Sequence, residues 1–456
     1  MKRWLALCAL AAAAAGCGTL PTIVPDMDAK GSRHVRLEGA RGPLSARQSR
    51  EILARLEGRG APTSIFERHL AVEEGVVGTP LVVGNKVTLL QDGPATYRAM
   101  FDAIAAAKHH VHMETYIIED DEVGRKFAAV LLARQAQGVQ VRLVYDSVGS
   151  SHVPREFFKR LADGGVSVLE FNPVNPLAAR KDWEVNQRDH RKLLVVDGRV
   201  AFVGGINISS VYSGGSFSAA SKRRPDGPQW RDTHLMIEGP VVADFQRLFL
   251  ATWEKQEGDP LPPREDFPPP LARGGELVRA IGSSPDEAFS LIYATLLSAI
   301  GAAETSVHLT NAYFVPDPQL LAALMAAAAR GVDVRLILPG HTDSWLVFHA
   351  GRSYYAQLLA AGVKIHERDD AMLHAKTAVI DGVWSTIGST NLDWRSFLYN
   401  DEVNAVVLGP EFGARMDAVF DGDVAASTLV TSESWGRRPL ADHAREFAAR
   451  LWAYGL

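Results

Sequence analysis

Residues 189–207 read DHRKLLVVDGRVAFVGGIN, and residues 373–391 read LHAKTAVIDGVWSTIGSTN. Each stretch carries H-x-K-x4-D-G, followed by a Gly-Gly or Gly-Ser pair and then an Asn. His190, Lys192, Asp197, Gly204, Gly205 and Asn207 in the first fall at the spacing of His374, Lys376, Asp381, Gly388, Ser389 and Asn391 in the second. A six-position pattern of this kind arises by chance in a chain this long with a probability of roughly 10⁻⁵. Two copies at matching places exclude coincidence. In a strand, alternation puts His and Lys of H-x-K on one face. The apolar run after Lys192 continues that strand, and Gly198 turns the chain behind Asp197. The next run brings the chain back, and glycine at 204 and 205 lets backbone approach a ligand closely. Asn207 then falls near Lys192. One stretch thus presents an imidazole, an ammonium and an amide together.

Working outward, the two stretches belong to a longer repeat. VHMETYII at 111–118 matches VHLTNAYF at 307–314, and GVQVRLVYD at 138–146 matches GVDVRLILP at 331–339. Short Val-, Ile- and Leu-rich runs alternate with helical stretches at 125–137 and 319–330. That alternation predicts an α/β fold with sheets covered on both faces. The expected layout is a pair of pseudo-symmetric halves, 86–257 and 276–456, the second ending in a C-terminal helix. The linker 258–275 holds six of the 24 prolines. Residues 17–85 are expected to form a spacer and packing arm, with a capped helix over 44–58.

The pattern resembles the phospholipase D superfamily over nearly everything from residue 85 onward. The resemblance implies two α/β/α sandwich halves fused in one chain, with a single active site at their interface. Two lysines (Lys192, Lys376) with Asn207, Ser389 and Asn391 are suited to holding an anionic phosphodiester by charge-assisted hydrogen bonds. Two imidazoles on opposite sides then supply a nucleophile and a general acid–base. A histidine nucleophile must be neutral and in one tautomer, which calls for a carboxylate on its other nitrogen. Asp232 and Glu402 fit, because Gly239-Pro240 and Gly409-Pro410 follow them at the same distance. The resemblance implies that His190 attacks, that His374 is acid and base, and that Asp197 and Asp381 brace the motif. Zinc is disfavoured by the lysine in each motif and the lack of a usable Cys, so no metal or cofactor is expected. His109, His110 and His341 are read as ordinary core or surface residues. His112 and His308 share a repeat position and are open candidates for a place near the cradle.

RDHRKLLVVDGRVAFVGGIN and GSTNLDWRSFLYNDEVN (388–404), with Arg395-Ser396, resemble bacterial cardiolipin synthases. The implied reaction is phosphatidyl transfer that forms cardiolipin through a phosphohistidine. Hydrolytic release of phosphatidic acid and, further off, an exported nuclease are the alternatives. The net charge of −5 sets the chain apart from basic nucleic-acid binders, so phospholipids are the expected partners and nucleic acid is not. Trp345, Leu346, Phe348, Tyr354 and Tyr355 are either a lipid-facing surface or helix core. Lys222, Arg223 and Arg224 are candidates for meeting anionic head groups.

Residues 1–16 read as a signal peptide. Lys2 and Arg3 precede an apolar run from Trp4 to Ala15, too short to span a bilayer. Ala14-Ala15-Gly16-Cys17 resembles the bacterial lipobox, which implies an acylated Cys17. The other cysteine, Cys8, lies inside the signal. Gly18 follows Cys17 where Asp would signal inner-membrane retention, so the resemblance to Gram-negative lipoproteins implies a lipid-anchored monomer at the outer membrane, facing the periplasm.

Overall fold

The computed structural model describes residues 35–175, 177, 183–214, 229–260 and 267–455. Cys17 and the cluster 222–224 therefore lie outside the described residues, as does part of the linker.

Each half contributes seven strands in the same order to one continuous sheet, and Thr428–Val430 adds an edge strand to the second half. In the first half Ser167–Phe171, Gln140–Asp146 and His110–Thr115 run parallel. The motif strand Lys192–Val196 joins antiparallel, followed by Val200–Gly204, Thr233–Glu238 and Leu81–Gln91. The second half repeats this with Lys364–Arg368, Asp333–Pro339, Ser306–Asn311, Lys376–Ile380, Trp384–Gly388, Asn400–Leu408 and Glu276–Ser283. The strand Leu81–Gln91 straddles residue 86 and couples the halves. Its start pairs with Glu276–Ser283 and its end with Thr233–Glu238.

Local chemistry explains the elements. The motif strand is buried along its whole length, as its unbroken apolar run requires. The helices expected at 125–137 and 319–330 are Glu122–Gln135 and Pro318–Ala329. They start earlier because the side chains of Asp121 and Asp317 cap them. Each motif hairpin turns on an Asp-Gly pair with both residues left-handed: φ is 53° and 58° at Asp197 and Gly198, 52° and 63° at Asp381 and Gly382. That is the type I′ geometry that suits the twist of the flanking strands. The two faces of the motif strand go to different cores. Leu194 and Val196 pack in the first half's own core, whereas Leu193 and Val195 join Val379, Ile387, Val403 and Ala405 of the second half. The halves thus share an apolar interior. In the arm, the helix Ala46–Glu57 has a Ser45–Gln48 capping box, and its Ile52, Leu53 and Leu56 pack on the second half's core.

Asp197 and Asp381 brace backbone. Asp197 accepts the N–H groups of Lys108, His109 and His110 at 2.8, 2.8 and 2.9 Å. Asp381 accepts those of Glu304, Thr305 and Ser306 at 3.0, 2.8 and 3.0 Å, and the Thr63 hydroxyl ties the arm to it. Asp381→Ala orphans these part-buried donors and places alanine in a left-handed conformation. It is expected to lower stability by about 2–4 kcal/mol, read as a fall in Tm by calorimetry, with turnover per folded molecule retained.

Candidate active site

The two motifs meet across the halves. The short strand Arg188–Asp189, just before His190, runs parallel to Asn400–Asp401, and His190 N–H donates to the Asp401 carbonyl at 2.9 Å. The second motif mirrors this. Met372–Leu373 runs parallel to Trp230–Arg231, and His374 N–H donates to the Arg231 carbonyl at 2.8 Å. The carboxylates are consequently exchanged. His190 Nδ1 lies 3.0 and 3.1 Å from the two oxygens of Glu402, which belongs to the second half. His374 Nδ1 lies 2.7 Å from Asp232 Oδ2, which belongs to the first. With each Nδ1 held by a carboxylate, each Nε2 is the reactive nitrogen.

Both histidines line one cavity of about 440 Å³ with Asn207, Asn391, Tyr116 and Tyr212. The lysines are placed differently from the expected cradle. Neither is among the residues lining this cavity. Lys192 Nζ donates to the His190 carbonyl at 2.6 Å, and Lys376 Nζ donates in the same way to the His374 carbonyl. Each ammonium is thus pinned beside its own histidine. Ser389, expected on the phosphate, instead donates its hydroxyl to Glu402 and accepts from Val403 N–H at 3.0 Å. It is a positioning residue for the carboxylate. Its counterpart Gly205 has no room for the same device, since a Cβ there would sit 2.2 Å from Asp232 Oδ1. Asn391 Oδ1 is buried with no partner among the described residues. Asn207 Nδ2 donates to Tyr212 OH at 3.1 Å.

Tyr212 is the residue the sequence reading missed. Its hydroxyl lies 3.3 Å from His374 Nδ1, and Trp230 flanks the same ring at 5.1 Å between centroids. Tyr212 sits five residues beyond Asn207 at the start of the loop that interrupts the repeat, so no repeat partner pointed to it. His112 and His308 stand apart from the cavity lining: they stack on Phe249 and Phe420 at 4.5 Å each, inside helix–sheet packing. Of the aromatic cluster, Tyr354 and Tyr355 are core and Trp345 is exposed.

Burial sets the charges. It depresses His190 to about 4, with Lys192 and Lys376 adding to the shift against the pull of Glu402. It depresses His374 to about 4 as well, helped by Lys376. Both rings are neutral at pH 7, as a nucleophile requires. Burial would raise Glu402, yet the His190 ring, Lys192 and the Ser389 hydroxyl hold it at about 2. Burial brings Lys192 down to about 7 and Lys376 to about 8. The free enzyme therefore loses competence at both ends of the pH range. Below about 4 the His190 nucleophile becomes charged, and above about 7 Lys192 loses its proton. A profile of kcat/KM against pH on a soluble phosphodiester is expected to fall as pH rises from about 4, because neutral His374 must take up a proton to act as acid, and to fall more steeply above about 7, where Lys192 loses its charge.

Two neutral imidazoles on opposed carboxylates, with two buried ammonium groups beside them, form a phosphodiester-transfer site. The family model described as "Cardiolipin synthase, PLD-like domain" matches residues 100–213 and 296–424, and the chain belongs to this phospholipase D-like family. Among its relatives, the cardiolipin synthase of Geobacillus thermodenitrificans (strain NG80-2) is 37% identical over 388 residues, covering 84% of this chain and 74% of that protein. Cardiolipin synthase A of Pseudomonas aeruginosa (strain LESB58) is 37% identical over 355 residues, 78% of this chain and 70% of that one. Among solved structures, the phosphatidylserine synthase of Haemophilus influenzae Rd KW20 shares the fold. Its TM-score is 0.61 at 12% identity, over 84% of this chain and 98% of that chain.

Proposed function

We propose that this protein is a metal-independent phosphatidyltransferase that forms cardiolipin. The observation that carries the reading is the pair of exchanged His–carboxylate couples on one cavity, in a chain whose relatives are named cardiolipin synthases. His190 Nε2 attacks phosphorus, and the bond to the head-group oxygen breaks as His374 donates a proton to it. A neutral His374 gains that proton when the phosphodiester anion is seated, because nearby negative charge favours imidazolium. His374 then takes the proton of the glycerol hydroxyl of a second phospholipid. That oxygen attacks phosphorus, the P–N bond breaks, and His190 is regenerated.

The test is product analysis. Vesicles of phosphatidylglycerol are expected to yield cardiolipin and glycerol in equal amounts. Phosphatidic acid without cardiolipin would make the enzyme a hydrolase and sink the transferase reading. The reading extends to an acylated Cys17 that tethers a monomer to the outer membrane, facing the periplasm. It rests on Ala14-Ala15-Gly16-Cys17. The mass of the mature N-terminal peptide, with and without Cys17→Ala, tests it: an unacylated N-terminus overturns the anchor.

A further inference from the structure

The C-terminal helix Leu440–Arg450 wears its apolar residues on the wrong side for a globular protein. Leu440, Phe447, Leu451 and Trp452 are 86, 68, 72 and 67% exposed. At about 3.6 residues per turn, Leu440, Ala444, Phe447, Ala448 and Leu451 form one outward stripe. The inward face is Glu446, Ala449 and Ala453, all buried. Charge is sorted to match. Arg450 flanks the stripe on one side and Arg445 on the other, both exposed. The acids sit toward the protein: Glu446 pairs with Arg438, and Asp442 with Arg445 at 3.0 Å. An apolar stripe with cationic margins and no outward acid matches a helix lying in the interface of an anionic bilayer. Trp345, 55% exposed, is on the helix Trp345–Arg352 that packs against this one. Indole rings suit the head-group boundary.

The patch adjoins the site. Val347, from the same helix as Trp345, and Gly455, just past the stripe, both line the catalytic cavity. We propose that the face formed by the helix Leu440–Arg450, Trp452 and Trp345 docks on an anionic phospholipid surface and sets the cavity against it. This deepens the phospholipid-transfer reading and rests on it for its purpose. No helix among the described residues is long and apolar enough to cross a membrane, so contact through this face is interfacial. It is separate from any tether at the N-terminus.

Two measurements on the full chain decide it. Phosphatidylglycerol vesicles with brominated acyl chains quench indoles that reach the acyl boundary. They are expected to quench the wild type, and Trp345→Phe/Trp452→Phe is expected to remove that quenching. Quenching absent from the wild type, or equal in the variant, overturns the proposal. Second, Phe447→Ser/Leu451→Ser is expected to lower transfer on vesicles by about tenfold, with unchanged transfer on short-chain phosphatidylglycerol dispersed as monomers. Equal rates to wild type on both substrates, or an equal fall on both, would overturn it. So would a concentration-dependent dimer that the serine variant abolishes without any bromolipid quenching. If the wild type transfers on neither substrate, the reaction assignment fails while the quenching still decides the docking.

Discussion

His190→Ala is expected to lower phosphatidyl transfer by about 10⁴-fold or more, the scale seen when a covalent nucleophile is removed. The loss is chemical rather than structural. Glu402 keeps the Ser389 hydroxyl and the Asn400 amide, the latter at 3.3 Å, so its charge is not left bare. The stability cost is then about 1–3 kcal/mol, small enough for the variant to be purified folded. A substrate with a nitrophenol leaving group separates the roles. It needs no proton from His374, so His374→Ala regains the first step, seen as a burst of nitrophenolate. His190→Ala gives none. A burst from His190→Ala and none from His374→Ala would exchange the two assignments.

Glu402→Gln is expected to cost about 10³–10⁴-fold, by analogy with amides placed at the orienting carboxylate of serine proteases. Both Glu402 oxygens accept: Oε1 from Asn400 and His190, Oε2 from Ser389. A glutamine NH₂ turned either way faces a donor, so the His190 ring loses its fixed tautomer. The charge matters as well. Glu402 is the main group supporting the Lys192 ammonium against burial, which already brings it down to about 7. Removing that carboxylate moves Lys192 lower still, and the alkaline limb of kcat/KM moves to lower pH with it. Glu402→Asp keeps the charge and is expected to hold the limb near its wild-type place. An unmoved limb in Glu402→Gln would separate Glu402 from Lys192.

The repeat, the motif strands and the Asp-Gly turns were legible because each rests on local physics: alternation, apolar runs and left-handed turn residues. Asp232 and Glu402 were legible from their register with Gly-Pro. Their exchange between halves was not. It depends on two-residue strands, 188–189 on 400–401 and 230–231 on 372–373, too short to carry any periodicity. Ser389 was misread because a hydroxyl after glycine suits a phosphate as well as a carboxylate, and only the fold brings Glu402 to it. The lysines sit against backbone carbonyls, which side-chain type alone does not reveal. The C-terminal helix was expected, but its outward apolar face was not, because its apolar period is that of a core helix and only packing shows that it faces outward.

The two halves make one site of two exchanged couples, Glu402 with His190 and Asp232 with His374. Trapping the covalent intermediate tests it most directly. Each variant, Asp232→Asn and Glu402→Gln, is mixed with the nitrophenyl substrate, quenched, and mapped by mass spectrometry. Asp232→Asn is expected to accumulate the phosphatidyl group on His190, because its attacking couple is intact and its proton-transfer couple is impaired. Glu402→Gln is expected to accumulate none. Adduct on His190 in Glu402→Gln but not in Asp232→Asn would contradict the exchange of carboxylates between the halves.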